Sequence, residues 1–106
     1  MEFKNIVDRA MEIREKYAEY ERRKSGKEWT NEQIAEDFVG DVGDLLQAVM
    51  AKEGVKEDKN VDEDLKHELS DCLWAILVLA SKYGVDMEST FMDQMDKLEK
   101  RIAGLD

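Results

Sequence analysis

The sequence predicts an all-α protein of four helices, and three observations carry that reading. There is no proline and there are only six glycines in 106 residues, so the strongest helix breaker is absent. Apolar residues recur at alternating steps of three and four, the spacing of an amphipathic helix. Polar stretches carrying glycine interrupt that spacing at three places: Arg22 to Thr30, Gly54 to Asn60 and Gly84 to Asp86.

The first helix is predicted from about residue 3 to about 22, on the stripe Phe3, Ile6, Ala10, Ile13, Tyr17 and Tyr20. Thr30 with Gln33 three residues later reads as a capping box, and Trp29 before it as the hydrophobic staple of Ile34. The second helix follows on Ile34, Phe38, Val42, Leu45, Leu46 and Val49, and Gly54 stops it. Asn60 with Glu63 is the expected cap of a third helix ending at Tyr83 and Gly84. Asp86 caps a fourth, whose stripe is Met87, Phe91, Met95, Leu98, Ile102 and Leu105. Short connections make antiparallel neighbours, so the expectation is one compact four-helix bundle over residues 1–106.

The third helix is apolar all the way round from Cys72 to Ala80, with Trp74 directed away from the Leu69, Cys72, Ile76 and Leu79 face. A helix without a wet side must be covered on every side. The expectation is a second subunit packed on Trp74, giving a dimer or a dimer of dimers.

Twenty-six acidic and 16 basic residues leave a net charge of −10. Such a surface repels nucleic-acid backbones and anionic membranes and suits a protein that binds cations. The longest apolar run, Cys72 to Ala80, is far short of the ~20 residues that span a bilayer. The start Met1-Glu2-Phe3-Lys4-Asn5 has no signal-peptide pattern, and Cys72 is the only cysteine. A reducing cytoplasm is the expected location. The basic group Arg22, Arg23, Lys24 and Lys27 reads as a solvated loop, His67 as a surface histidine, and Cys72 as a small core residue.

Acids at i and i+3 share a helical face, so such a pair can hold one cation. In a chain this acidic the spacing alone means little, but position is informative. Asp41 and Asp44 lie beside the apolar stripe of the second helix, and Glu68 and Asp71 beside that of the third. Acids this close to a core are costly unless neutralised. Facing each other across two antiparallel helices, the four would offer hard oxygen ligands to Mg²⁺ or Mn²⁺.

The run Gly40-Asp41-Val42-Gly43-Asp44-Leu45, followed by His67-Glu68-Leu69-Ser70-Asp71-Cys72-Leu73-Trp74, resembles the MazG-type nucleotide pyrophosphohydrolases of the all-α NTP pyrophosphatase superfamily. The resemblance covers roughly residues 30 to 105 and implies a MazG-like bundle. It also implies Asp41, Asp44, Glu68 and Asp71 as metal ligands, Mg²⁺ as cofactor (Mn²⁺ as a substitute), and cleavage of a nucleoside triphosphate to monophosphate and pyrophosphate. Glu68 or Asp44 would then orient or deprotonate the attacking water, and Arg101 would contact the phosphates. The chain departs from the family pattern at Gly40, which stands for a glutamate, at Asp41 and Asp44, which are one methylene shorter, and at Gln94, Leu98 and Ile102 on the last helix. Two other expectations stand beside the leading one: a non-catalytic helical interaction module, and a related hydrolase of another substrate such as phosphoribosyl-ATP.

Overall fold

The computed structural model describes residues 1–105. Four helices follow one another: α1 (Phe3–Ser25), α2 (Asn31–Lys52), α3 (Val61–Lys82) and α4 (Met87–Ala103). Among the described residues there is no strand, and no helix is long and apolar enough to cross a membrane.

Local chemistry sets most of the boundaries. Thr30 Oγ1 accepts from the Gln33 N–H at 3.1 Å, while Gln33 Oε1 accepts from the Thr30 N–H at 2.8 Å. This is the capping box expected for α2. Asp86 caps α4 by accepting from the Ser89 N–H at 3.3 Å. Two boundaries differ from expectation. The α1 helix continues past Arg22 until Gly26, whose φ of 83° turns the chain and whose N–H bonds the Arg22 carbonyl at 2.9 Å. The cations Arg22, Arg23 and Lys24 at that carbonyl end favour the extra turn. At α3 the Asn60 side chain makes no capping bond. Asp58 instead accepts from the Asn60 N–H at 2.9 Å, an Asx turn that leads the chain into the helix.

α2 and α3 form an antiparallel hairpin, and α1 packs on α3. The core consists of Ile34 and Ala48 from α2, Cys72, Ala75, Leu77 and Val78 from α3, and Ala10 and Ala18 from α1. The expected α1 stripe is rotated in the structure. Tyr17 and Tyr20 are half-exposed, and the packed row is Ala10, Arg14, Ala18, an i, i+4 ridge that contains a buried arginine. No hydrophobic period selects that arginine.

The reading of Trp74 as a subunit contact is corrected by the same packing. Trp74 Nε1 donates to the Ala10 carbonyl at 2.9 Å, and its ring lies 5.7 Å from that of Tyr17. α1 of the same chain therefore covers Trp74. The side of α3 left open is a different one, bearing Leu69, Leu73 and Ile76.

The compact four-helix bundle is realised within the chain for three helices only. α4 has no buried residue. Its first residues share a groove with Phe3, Val7 and Leu77, and the remainder projects. The radius of gyration is 16.9 Å, against about 13 Å for a compact chain of this length. Phe91, Met95, Leu98 and Ile102 are consequently left partly open.

The α1–α3 contact is testable through Trp74. Trp74→Ala should destabilise the chain by about 3 kcal/mol in denaturant unfolding. Trp74→Phe, which keeps most of the ring area and loses the N–H, should cost about 1 kcal/mol. A wild-type midpoint for Trp74→Ala would show that α1 does not depend on this contact.

Candidate functional site

Two helical rows meet where α2 packs on α3. Along α2 the row is Ile34, Phe38, Asp41, Leu45 and Ala48; along α3 it is Val61, Leu65, Glu68, Cys72 and Ala75. Each advances by alternating steps of four and three, and each is buried or half-buried throughout. Asp41 and Glu68 therefore lie within the seam, where the sequence placed Asp41 beside the apolar stripe and Glu68 nearly inside it. Asp44 is exposed at the seam's margin, and Asp71 is half-buried.

The antiparallel register places Asp41 near Asp71 and Asp44 near Glu68. Burial pushes the Asp41 carboxyl above the usual carboxylate range, and Asp37, Asp71 and Asp44 push it further. Burial likewise raises Glu68, with Asp44 the strongest neighbouring charge and Asp71 and Asp41 adding to it. The four predicted ligands thus form one electrostatic cluster. Among the described residues, no three acidic, histidine or cysteine side chains converge tightly enough to grip an ion as they stand. His67 opposes both shifts. Its Nε2 lies 3.1 Å from Asp71 Oδ2 and 4.0 Å from Glu68 Oε1. His67 is therefore surface-exposed, as expected, but not isolated: the i, i+4 spacing to Asp71 was the available signal. Cys72 is buried, and burial holds its thiol above the ordinary value, which suits its reading as a core residue.

On one side of the cluster lies a network the sequence did not reveal. Buried Arg14 pairs with Glu21 and stands 6.0 Å over the Trp29 ring. Glu21 also accepts from the Trp29 N–H at 2.8 Å. Burial raises the Glu21 carboxyl, but the Trp29 N–H, Arg14 and Arg22 outweigh it and hold the pKa low. Arg14, Trp29, Ile34, Asp37 and Asp41 line a cavity of about 30 Å³. The presence of Trp29 and Ile34 together there agrees with the staple, and Arg14 occupies one face of the indole. Of the basic group that follows, Arg22 is paired with Glu15 at 2.8 Å and Glu28 at 3.6 Å.

On the other side is a cleft of about 470 Å³ between the last turns of α2, the connecting loop and the first turns of α3. Its walls include Asp44, Gln47, Lys56, Asp58, Asp64 and Glu68, with Ala48 and Ala51 leaving its floor open. That volume falls in the range of small-molecule sites, about 300–1,000 Å³. Arg101 is not among the lining residues. It stands on α4 in a separate surface groove with Leu98, Ile102 and Leu105, so one chain does not bring it to the carboxylates.

The electrostatics predict a stability effect with a definite sign. A carboxyl whose pKa is raised on folding binds its proton more tightly in the native state. The stability it contributes is present below the unfolded pKa and is lost as pH rises through the folded value. Asp41→Asn should therefore melt at or above the wild-type temperature at pH 7 in a chelator. With millimolar Mg²⁺ or Mn²⁺ the wild type should gain several degrees and Asp71→Asn should gain little, since a ligand of the native state alone adds stability. An Asp71→Asn protein that responds to metal like the wild type would remove Asp71 from the site.

The comparisons with known proteins bear on the same segment. Neither a curated protein nor a solved structure matches the chain. Residues 29–103 match the MazG nucleotide pyrophosphohydrolase domain. That span holds α2, the loop, α3 and α4, and with them the four clustered acids and the cleft. It covers most of the chain, which therefore belongs to the MazG nucleotide pyrophosphohydrolase domain family.

Proposed function

We propose that this protein hydrolyses a nucleoside triphosphate, ribose or deoxyribose, to the monophosphate and pyrophosphate, using Mg²⁺ or Mn²⁺ held by Asp41, Asp44, Glu68 and Asp71. The observation that carries the reading is the facing of two acidic pairs across the α2–α3 seam, at the edge of the 470 Å³ cleft. The donor set suits the ion: carboxylate oxygens are hard ligands, and Asp41 and Glu68 are held where their charged forms are disfavoured without a counter-ion. When bound, Mg²⁺ would supply neutralising charge for phosphates and Lewis acidity toward their oxygens.

The chain's own residues supply the remaining steps. Asp44 and Glu68 line the cleft, so a nucleotide there would lie against them. Glu68, whose side chain is 19% exposed and whose proton affinity is raised, would orient the attacking water and take its proton. The bond between the α-phosphorus and the bridging oxygen then breaks, and pyrophosphate departs. Arg101 would reach the phosphates only from another chain or after movement of α4.

We also infer a homodimer or homotetramer. Leu69, Leu73 and Ile76 on α3, Val42 and Leu46 on α2, and the α4 stripe from Phe91 onward are exposed together in one chain. Apolar surface of this extent marks an interface, and a two-fold dimer uses the same patch twice. The exposed α4 also favours a second reading, a helical interaction module without catalysis. Pyrophosphate release from the canonical nucleoside triphosphates, their deoxy forms and phosphoribosyl-ATP separates the readings. No release from any of them would leave the module as the better account.

If the four acids act as one site, their losses should not add. Asp44→Asn and Asp71→Asn should each lower kcat/KM by about 10² or more, and the double variant should be scarcely worse. Glu36→Gln, on the exposed side of α2, should change little. Comparable losses at Glu36 and Asp44 would mean that surface charge had been measured.

Leu73→Glu should halve the mass seen by light scattering while leaving helical circular dichroism intact, because it places a charge in an apolar contact. A wild type that is monomeric at tens of micromolar would overturn the assembly.

A further inference from the structure

We propose that Lys56 is a phosphate-binding residue of the α2–α3 cleft, taking the phosphates that depart as pyrophosphate; this rests on the hydrolase reading above and adds a residue to it. Among the described residues Lys56 is the one cation lining the cleft, whose walls otherwise carry Asp44, Glu57, Asp58, Asp64 and Glu68. Amid those carboxylates its ammonium is held by a neutral group: Lys56 Nζ donates to Gln47 Oε1 at 3.0 Å. Charge-assisted bonds are the stronger kind, so a phosphate oxygen arriving in the cleft can displace the amide. Lys52, four residues earlier, is already committed to Asp62 at 2.6 Å.

The fold builds the position of Lys56. Gly54, at φ 81°, reverses the chain after α2, and the Val55 N–H returns to the Met50 carbonyl at 2.9 Å, the long bond of a Schellman turn. The next residue is thereby folded back along α2, so that Lys56 meets Gln47 nine positions earlier. Gln47 lies one turn beyond Asp44, about 4.5 Å along the axis. A polyphosphate whose reacting end lies at Asp44 and Glu68 therefore extends toward Lys56. No residue of α4 does this within the chain: none is among those lining the cleft, and Arg101 lines another groove. In a protein of net charge −10, a lone ammonium at this point would decide which end of the anion enters.

The test is calorimetric titration of the full chain with inorganic pyrophosphate in saturating Mg²⁺, which needs no turnover. Lys56→Gln should weaken pyrophosphate binding about tenfold or more, Lys56→Arg should keep most of it, and Lys52→Gln should stay within about twofold of wild type by the same measure. Mg²⁺ binding alone and the melting temperature should not move in Lys56→Gln, since Lys56 is exposed. Wild-type affinity in Lys56→Gln, or equal losses at Lys52 and Lys56, would overturn the assignment and leave the hydrolase reading standing. A wild type that releases pyrophosphate from nucleotides yet binds none in the titration would also discard Lys56 alone. The tenfold loss without any hydrolysis would retain the phosphate site and discard the hydrolase.

Discussion

The seam between α2 and α3 carries a conflict on which the rest of the molecule depends. A row of apolar residues on each helix brings the two together, yet Asp41 and Glu68 occupy positions in those rows. Each stands in like-charged company, and burial is the largest contribution to its raised pKa. Two better-packed helices would follow from leucine at both positions, as replacing buried charge by apolar side chains often shows. The conflict is held in place by what surrounds it. Ile34, Ala75 and Val78 close one end of the seam, the α2 capping box fixes the start of its first helix, and α1 backs α3 through Trp74. Strain of this kind, concentrated where a cation would relieve it, is what the proposed metal site rests on.

Small residues let the seam stay open on its other side. Ala48 and Ala51 line the cleft floor, so the helices separate there without leaving a sealed void. The loop that crosses the opening is ordered by its own backbone: the Gly54 turn at one end and the Asp58 bond to the Asn60 N–H at the other. The acids and the cleft are therefore consequences of one arrangement. Glu68, half-buried in the seam, and Asp44 at its margin both line that space.

The helices were legible in the sequence because their signals are local. The Thr30–Gln33 box, the Asp86 cap, and the glycines at 54 and 84 act within a few residues, and their chemistry does not depend on tertiary partners. The place of the four acids was legible not from their i, i+3 spacing, which is common in so acidic a chain, but from their position beside the apolar stripes of α2 and α3. What escaped was pairwise and long-range. Arg14 is buried because Glu21 and Trp29 receive it, and neither its own position nor its period announces that. Trp74 looked like a subunit contact because its side of α3 is apolar; only the crossing of α1 shows that its ring and N–H already have partners in the same chain. Gln47 and Lys56 meet across nine positions through a left-handed turn, a relation that periodicity cannot express.

The position of α4 follows from the same economy of surface. α1, α2 and α3 pack on one another, and among the described residues α4 has no buried residue and meets the rest of the chain only at its start, so most of its apolar stripe is left open. The outer residues of α3, at Leu69, Leu73 and Ile76, are left in the same condition. Two open apolar surfaces on one short chain are costly in water, and in the proposed assembly each would be covered by a copy in another chain. Arg101 shares the α4 groove with Leu98 and Ile102, so whatever covers that stripe also decides where this cation stands. Assembly and phosphate recognition would then be coupled through α4. Lys56, carried by the loop of the same chain as the carboxylates, would act without that coupling, because the turn at Gly54 and the bond to Gln47 already place its ammonium in the cleft.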